Sequence, residues 1–188
     1  MLAVFVLATT LTSCSSEFEP AYPFSKALDE TTVFMGDSIT WFWPMPEHNE
    51  GISGQQTYQM LARFQADVLG HGYERVVILG GTNDIILPPH DLSRVSINLD
   101  AMATMARTAG MEVIICKLPP ITWAGNDLNS QVGIVNESIA ALASEKGYLL
   151  VDYNSPMAHH PDYFRDGVHP KPIGYAVMES ALAEVVKF

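Results

Sequence analysis

From Thr32 onward, short apolar runs alternate with amphipathic helical patterns, and most runs end in glycine or a small polar residue. A parallel sheet requires this alternation, because each parallel neighbour is reached by a crossover, and helices in those crossovers cover the sheet faces. Strands are expected at Thr32 to Met35, Arg75 to Leu79, Glu112 to Lys117 and Tyr148 to Asp152, all short and rich in β-branched or aromatic residues. Helical patterns cover Tyr58 to Leu69, Leu92 to Ala109, Gln131 to Lys146 and Ile173 to Val186, with Gly70, Gly110 and Gly147 placed as C-terminal stops. A further strand has to lie in the polar stretch MPEHNEGIS, residues 45–53, and is expected to be short or irregular. The fold class is α/β.

The 188 residues suit a single domain with a real core. Ten Lys plus Arg against 21 Asp plus Glu leave a formal charge of -11, which repels phosphate backbones and anionic membranes, so nucleic acid is not an expected partner. The opening MLAVFVLATTLTSCSS is uncharged and begins with an apolar run too short to span a bilayer, as in the core of a signal peptide. Leu11-Thr-Ser-Cys14 resembles the bacterial lipobox, whose Cys becomes the lipidated first residue, although no Lys or Arg precedes Lys26. The expected organisation is therefore a leader at 1–13, a linker at 14–30 and one folded domain at 31–188. Cys116, in an apolar strand-like run, reads as a small buried hydrophobe, and two cysteines imply no disulfide framework.

Polar groups fall at three strand ends: Gly36-Asp-Ser38, Gly80-Gly-Thr-Asn-Asp84 and Asp152-Tyr-Asn154. Ligands bind at that edge of open α/β sheets. Gly51-Ile-Ser-Gly-Gln55 and Asp166-Gly-Val-His-Pro170 sit on loops that can reach it. Ser38 has two readings: a helix cap, or a nucleophile raised into the crevice.

Taken in order, these blocks resemble those of the SGNH, or GDSL, hydrolases: Gly-Asp-Ser first, a Gly in the second block, Gly-x-Asn-Asp in the third and Asp-x-x-His near the end. The resemblance covers essentially everything after the linker. It implies a flavodoxin-like three-layer α/β/α sandwich on a five-stranded parallel sheet, and ester hydrolysis without a cofactor or metal. It also implies Ser38 as nucleophile, His169 as general base and Asp166 as orienter of the imidazole. The N–H of Ser38, the N–H of Gly54 and the side-chain amide of Asn83 would form the oxyanion hole.

Chemistry supports that assignment independently. A serine hydroxyl needs a base to take its proton, and imidazole, with an unperturbed pKa of about 6.5, suits that at neutral pH. A carboxylate on the other ring nitrogen fixes the tautomer and stabilises the imidazolium. The tetrahedral intermediate carries an oxyanion that needs donors already in place.

Rival residues fit less well. Ser53 lacks the second glycine of a nucleophile elbow, because Gln55 stands there. Asp37 and Asp84 suit loop-holding hydrogen bonds, and Asp152 is the alternative acid. His159, His160 and Asp162 show no metal-ligand spacing and read as surface residues, while His48, His71 and His90 lie in polar loops without a role. Trp41, Phe42 and Trp43 follow the nucleophile at once, either as packing or as a wall of the substrate pocket, so Trp41 and Trp43 are candidate substrate-binding residues.

The expected function is a serine esterase that removes a short acyl group, such as acetyl, from a carbohydrate or other small ester. The chain has no insertion large enough for a lid or a long acyl tunnel. A lysophospholipase or thioesterase would use the same residues, and a non-catalytic envelope binding protein would use the same loops. Export to the cell envelope is expected, with membrane contact only through a lipid on Cys14; periplasmic or freely secreted protein is the alternative.

Overall fold

The structure, a computed structural model, describes residues 30–186. Cys14, the leader and nearly all of the linker lie outside the described residues. Five parallel strands form the central sheet: β1 (Thr32–Gly36), β2 (His48–Gly51), β3 (Arg75–Leu79), β4 (Glu112–Lys117) and β7 (Leu149–Asp152). Their spatial order is β2-β1-β3-β4-β7. Between β4 and β7 lies a small antiparallel hairpin, β5 (Thr122–Trp123) with β6 (Asn126–Asp127), which the apolar pattern does not announce.

The helices are α1 (Ser38–Trp41), α2 (Thr57–Val68), α3 (Thr82–Ile86), α4 (Ser93–Thr108), α5 (Asn129–Lys146) and α6 (Pro172–Val185). From β2 onward every crossover steps in one direction across the sheet, so right-handed connections put α2, α4 and α5 on one face. The step from β1 to β2 runs the other way, which puts α1 on the opposite face, and α6 packs there on β7. The strands are buried between these layers; Val33, Met35, Val76, Ile78, Ile114 and Ile115 are fully enclosed. Such two-sided burial explains their near-continuous apolar runs.

The chain leaves β1 for β2 on one side and later returns to β3 on the other. The carboxyl ends of β1 and β3 therefore flank the point where strand order reverses, where loops diverge and leave a crevice. Ser38 and Asn83 follow those two strand ends directly.

Candidate active site

Asp37 begins the site by capping α1. Its Oδ1 accepts from the Ile39 N–H at 2.9 Å, so the capping role open to Ser38 is filled by its neighbour. The Ser38 hydroxyl is left for another partner and lies 2.9 Å from His169 Nε2.

His169 sits in the loop before α6. Its Nδ1 lies 2.7 Å from Asp166 Oδ2, while Asp166 Oδ1 accepts the backbone N–H groups of Val168 and His169 at 3.1 and 2.8 Å. Because a carboxylate only accepts, Nδ1 carries the proton and Nε2 is the acceptor facing Ser38. Partial burial opposes ionisation of Asp166, but hydrogen bonds from the His169 backbone and ring and from Val168 outweigh it, holding its carboxyl below the usual range. The edge of the arrangement is set by Phe42, whose ring meets the His169 ring edge-to-face at 5.5 Å, and Arg165 lies 4.3 Å over Phe42. No motif points to Arg165 or to its stacking.

The loop after β2 approaches from the other side. Gly51 allows this closeness: a Cβ there would lie 2.2 Å from the Trp41 backbone nitrogen. The loop is tied down by the Ile52 N–H bond to Gly36 O at 3.1 Å and turns through Gly54, whose φ of +80° is the left-handed value a type II turn needs at its third residue. Among the described residues, neither the Ser38 N–H nor the Gly54 N–H donates a hydrogen bond.

Asn83, on α3, is nearly buried and directs Nδ2 to Gln55 O at 3.0 Å and, at a longer 3.4 Å, to Asp37 Oδ2. One amide hydrogen thus holds the neighbouring loop, and the other has only a weak partner. Asp37 is fully enclosed; burial, with Asp84 nearby and against the Ile39 hydrogen bond, pushes its carboxyl up to about 7. Asp84 accepts from Thr57 N and Oγ1 at 2.9 and 2.7 Å, joining α3 to the start of α2. Arg63, on α2, donates to the carbonyls of Gly36 and Glu50 and to Gln55 Oε1, so one side chain fastens three segments around the crevice. Nothing in its helical context singles it out in the sequence.

Of the remaining candidates, Ser53 is exposed in the turn, with no hydrogen bond to a histidine. Asp152 pairs with Lys117 Nζ at 3.0 Å and accepts from Asn154 and Ser155, away from His169. His160 stacks on Tyr163 at 4.3 Å, and no group of three metal-ligating side chains forms among the described residues. The rings of His48, His71 and His90 each bond a backbone carbonyl. Trp41 is 56% exposed, but Trp43 takes the packing alternative, which corrects its place among the candidate substrate-binding residues. Trp43 is 2% exposed, packs on Phe34, Tyr153 and Tyr175, and donates Nε1–H to Glu179 Oε1 at 3.0 Å. The turn after α1 rolls it into the core beneath α6.

The β5–β6 hairpin contributes to two cavities at this edge. One, of about 470 Å³, includes Asp166, Arg165 and Thr122; the other, of about 360 Å³, is mainly apolar, with Ile85, Ile86, Leu92, Trp123 and Leu128.

The sequence profile of the GDSL-like lipase/acylhydrolase family matches residues 34–177. Among solved structures, a GDSL-like lipase from Bacteroides thetaiotaomicron is 30% identical with a TM-score of 0.77, over 85% of this chain and 89% of its own. An acetyl-xylooligosaccharide esterase from Geobacillus is 20% identical, with a TM-score of 0.71 over 84% of this chain and 94% of its own. A carbohydrate esterase family 3 protein from Talaromyces cellulolyticus is 21% identical, with a TM-score of 0.69 over 81% and 94%. These last two likenesses concern the fold alone. No curated protein sequence matches significantly. With the family profile spanning strand ends, loops and both halves of the crevice, this chain belongs to the GDSL-like lipase/acylhydrolase family.

Proposed function

We propose that this protein is a serine esterase that removes a short acyl group, acetyl foremost, from a carbohydrate ester through an acyl-enzyme. The observation that carries the reading is the continuous chain Asp166–His169–Ser38, with links of 2.7 and 2.9 Å. His169 Nε2 takes the Ser38 proton as Oγ attacks the acyl carbon, and Asp166 stabilises the imidazolium formed. The oxyanion is received by the free N–H groups of Ser38 and Gly54 and by Asn83 Nδ2, which exchanges its long contact with Asp37 for a charge-assisted one. The alcohol leaves with the proton from Nε2, and water repeats the sequence on the acyl-enzyme.

Acetyl as the acyl group rests on a crevice that no insertion covers among the described residues, and on the occurrence of this fold in esterases of acetylated xylan. A second reading, a lysophospholipase or thioesterase, draws on the apolar cavity: Ile86 stands one helical turn beyond Asn83, so a longer acyl chain has somewhere to lie. A 4-nitrophenyl ester series from acetate to decanoate, run beside acetate release from acetylated xylooligosaccharides, tests both. Preference for acetate with glycan deacetylation supports the first reading; preference for octanoate or longer replaces it with the second; no hydrolysis of any ester removes both. For location, we propose lipid attachment at Cys14, on the strength of Leu-Thr-Ser-Cys alone. Cys14→Ser should then release the protein from the membrane fraction without changing turnover, and unlabelled wild-type protein in a fatty-acid labelling experiment removes that proposal.

A further inference from the structure

A cavity of about 410 Å³ opens at the same sheet edge, between the start of α2, the start of α4 and the loop joining α3 to α4. It is distinct from the crevice at Ser38 yet adjoins it. Gln56 follows Gln55, whose carbonyl holds Asn83, and Gln56 Nε2 also donates to Asn83 O at 3.3 Å; Asp84 is the next residue after Asn83.

Three polar side chains of its lining, Gln56, Asp84 and Asn98, are each more than nine-tenths buried. Burying polar groups is unfavourable unless their hydrogen bonds are met. Gln56 and Asp84 have partners within the fold, but Asn98 is half committed: Nδ2 donates to Thr57 Oγ1 at 2.9 Å, and Oδ1 makes no hydrogen bond among the described residues. A buried side chain lining the cavity therefore keeps one acceptor for something outside the fold. Towards solvent stand two groups of different character. The Tyr58 ring, 57% exposed, offers a flat apolar face and a hydroxyl, and Arg94 meets Asp91 only through Nε at 3.3 Å, which leaves its terminal nitrogens as donors.

A fixed acceptor at depth, a fork of donors and an exposed aromatic face together suit a hydroxyl-rich ring, whose hydroxyls both donate and accept and whose C–H faces lie on aromatic surfaces. We propose that this cavity is a glycan subsite, which binds a neighbouring pyranose of the oligosaccharide whose ester is cleaved at Ser38. The proposal rests on the carbohydrate-esterase reading above and extends it from the acyl group to the sugar chain. Binding there would hold the glycan while leaving the reacting bond to the Ser38 crevice, so small esters would not feel it.

The test uses two readouts on the whole protein. In the Ser38→Ala background, calorimetric titration with xylotetraose and cellotetraose should show binding of at least one, weakened on the order of tenfold or more by Tyr58→Ala or Arg94→Ala. With Ser38 intact, the same two substitutions should raise KM for the acetylated oligosaccharide and leave 4-nitrophenyl acetate hydrolysis unchanged. Both side chains are exposed, so their removal should not disturb folding. Absence of oligosaccharide binding, or binding equally tight in both variants, overturns the subsite. If no ester is hydrolysed but oligosaccharide binding depends on Tyr58, the esterase reading fails and the glycan site stands. If 4-nitrophenyl acetate is cleaved and the variants act on the glycan ester as wild type does, the subsite alone fails.

Discussion

The carboxylate of Asp37 caps the helix that Ser38 begins, and this frees the serine hydroxyl to face His169 instead of its own backbone. Chemistry and structure are thus divided between adjacent residues. Ser38→Ala should abolish ester hydrolysis while changing stability by less than about 1 kcal/mol, since the cap remains. Ser53→Ala should keep substantial activity. Turnover of 4-nitrophenyl acetate and a thermal melt check both; a dead Ser53→Ala variant beside an active Ser38→Ala variant would reverse the assignment.

Burial of Asp37 gives stability a pH dependence of definite sign. With a folded pKa of about 7 against an ordinary carboxylate value near 3.8, the folded state binds the extra proton between those limits. Its contribution therefore weakens stability as pH rises from about 4 to about 7, by up to about 1.4 kcal/mol per pH unit. Asp37→Asn keeps a capping side chain and cannot ionise, so the difference between variant and wild-type stability should grow in the variant's favour across that window. Denaturant melts at a series of pH values measure it, and parallel curves would show that Asp37 does not titrate there.

Asn83→Ala should lower kcat on the order of 10²-fold to 10³-fold with little change in KM, because its amide is needed most when the oxyanion forms. A rise in KM alone would make Asn83 a binding group.

Asp166→Asn should cut kcat by on the order of 10⁴-fold, because the amide can donate to Nδ1 and favour the wrong imidazole tautomer. Turnover of 4-nitrophenyl acetate at saturating substrate measures it, and an Asp166→Asn variant with wild-type kcat would exclude the orienting role.

Trp43→Phe should destabilise the protein by about 1–2 kcal/mol, by removing the indole N–H from Glu179, without altering kcat/KM for 4-nitrophenyl acetate. Burial already raises the Glu179 pKa, and loss of the Trp43 donor should raise it further. A changed KM with unchanged stability would return Trp43 to the substrate pocket.

The helices flanked by glycine stops and the four apolar strands were legible because burial on two faces leaves a strong pattern. The blocks at the strand ends were legible because each needs a specific chemical group: a hydroxyl, an imidazole, a carboxylate, an amide. Trp43 was ambiguous because adjacent aromatics in a short helix and its turn point to opposite environments, and only the fold decides which enters the core. Asn98 and Arg63 gave no signal, since each is one polar residue within an ordinary helical pattern, and its partners lie far away in sequence. The β5–β6 hairpin, two residues per strand and exposed, is too short to impose a period.

β2 was hidden for a different reason. Among the described residues, His48, Asn49 and Glu50 form the outermost strand, paired only with β1, and carry almost no apolar character. An unpaired sheet margin offers free amides and carbonyls to any extended chain that meets it, and apolar margins promote aggregation. The polar residues that conceal β2 from a hydrophobicity pattern thus discourage the sheet from adding strands of other molecules. The crevice at Ser38 is thereby built beside a polar border that is a poor template for strand addition.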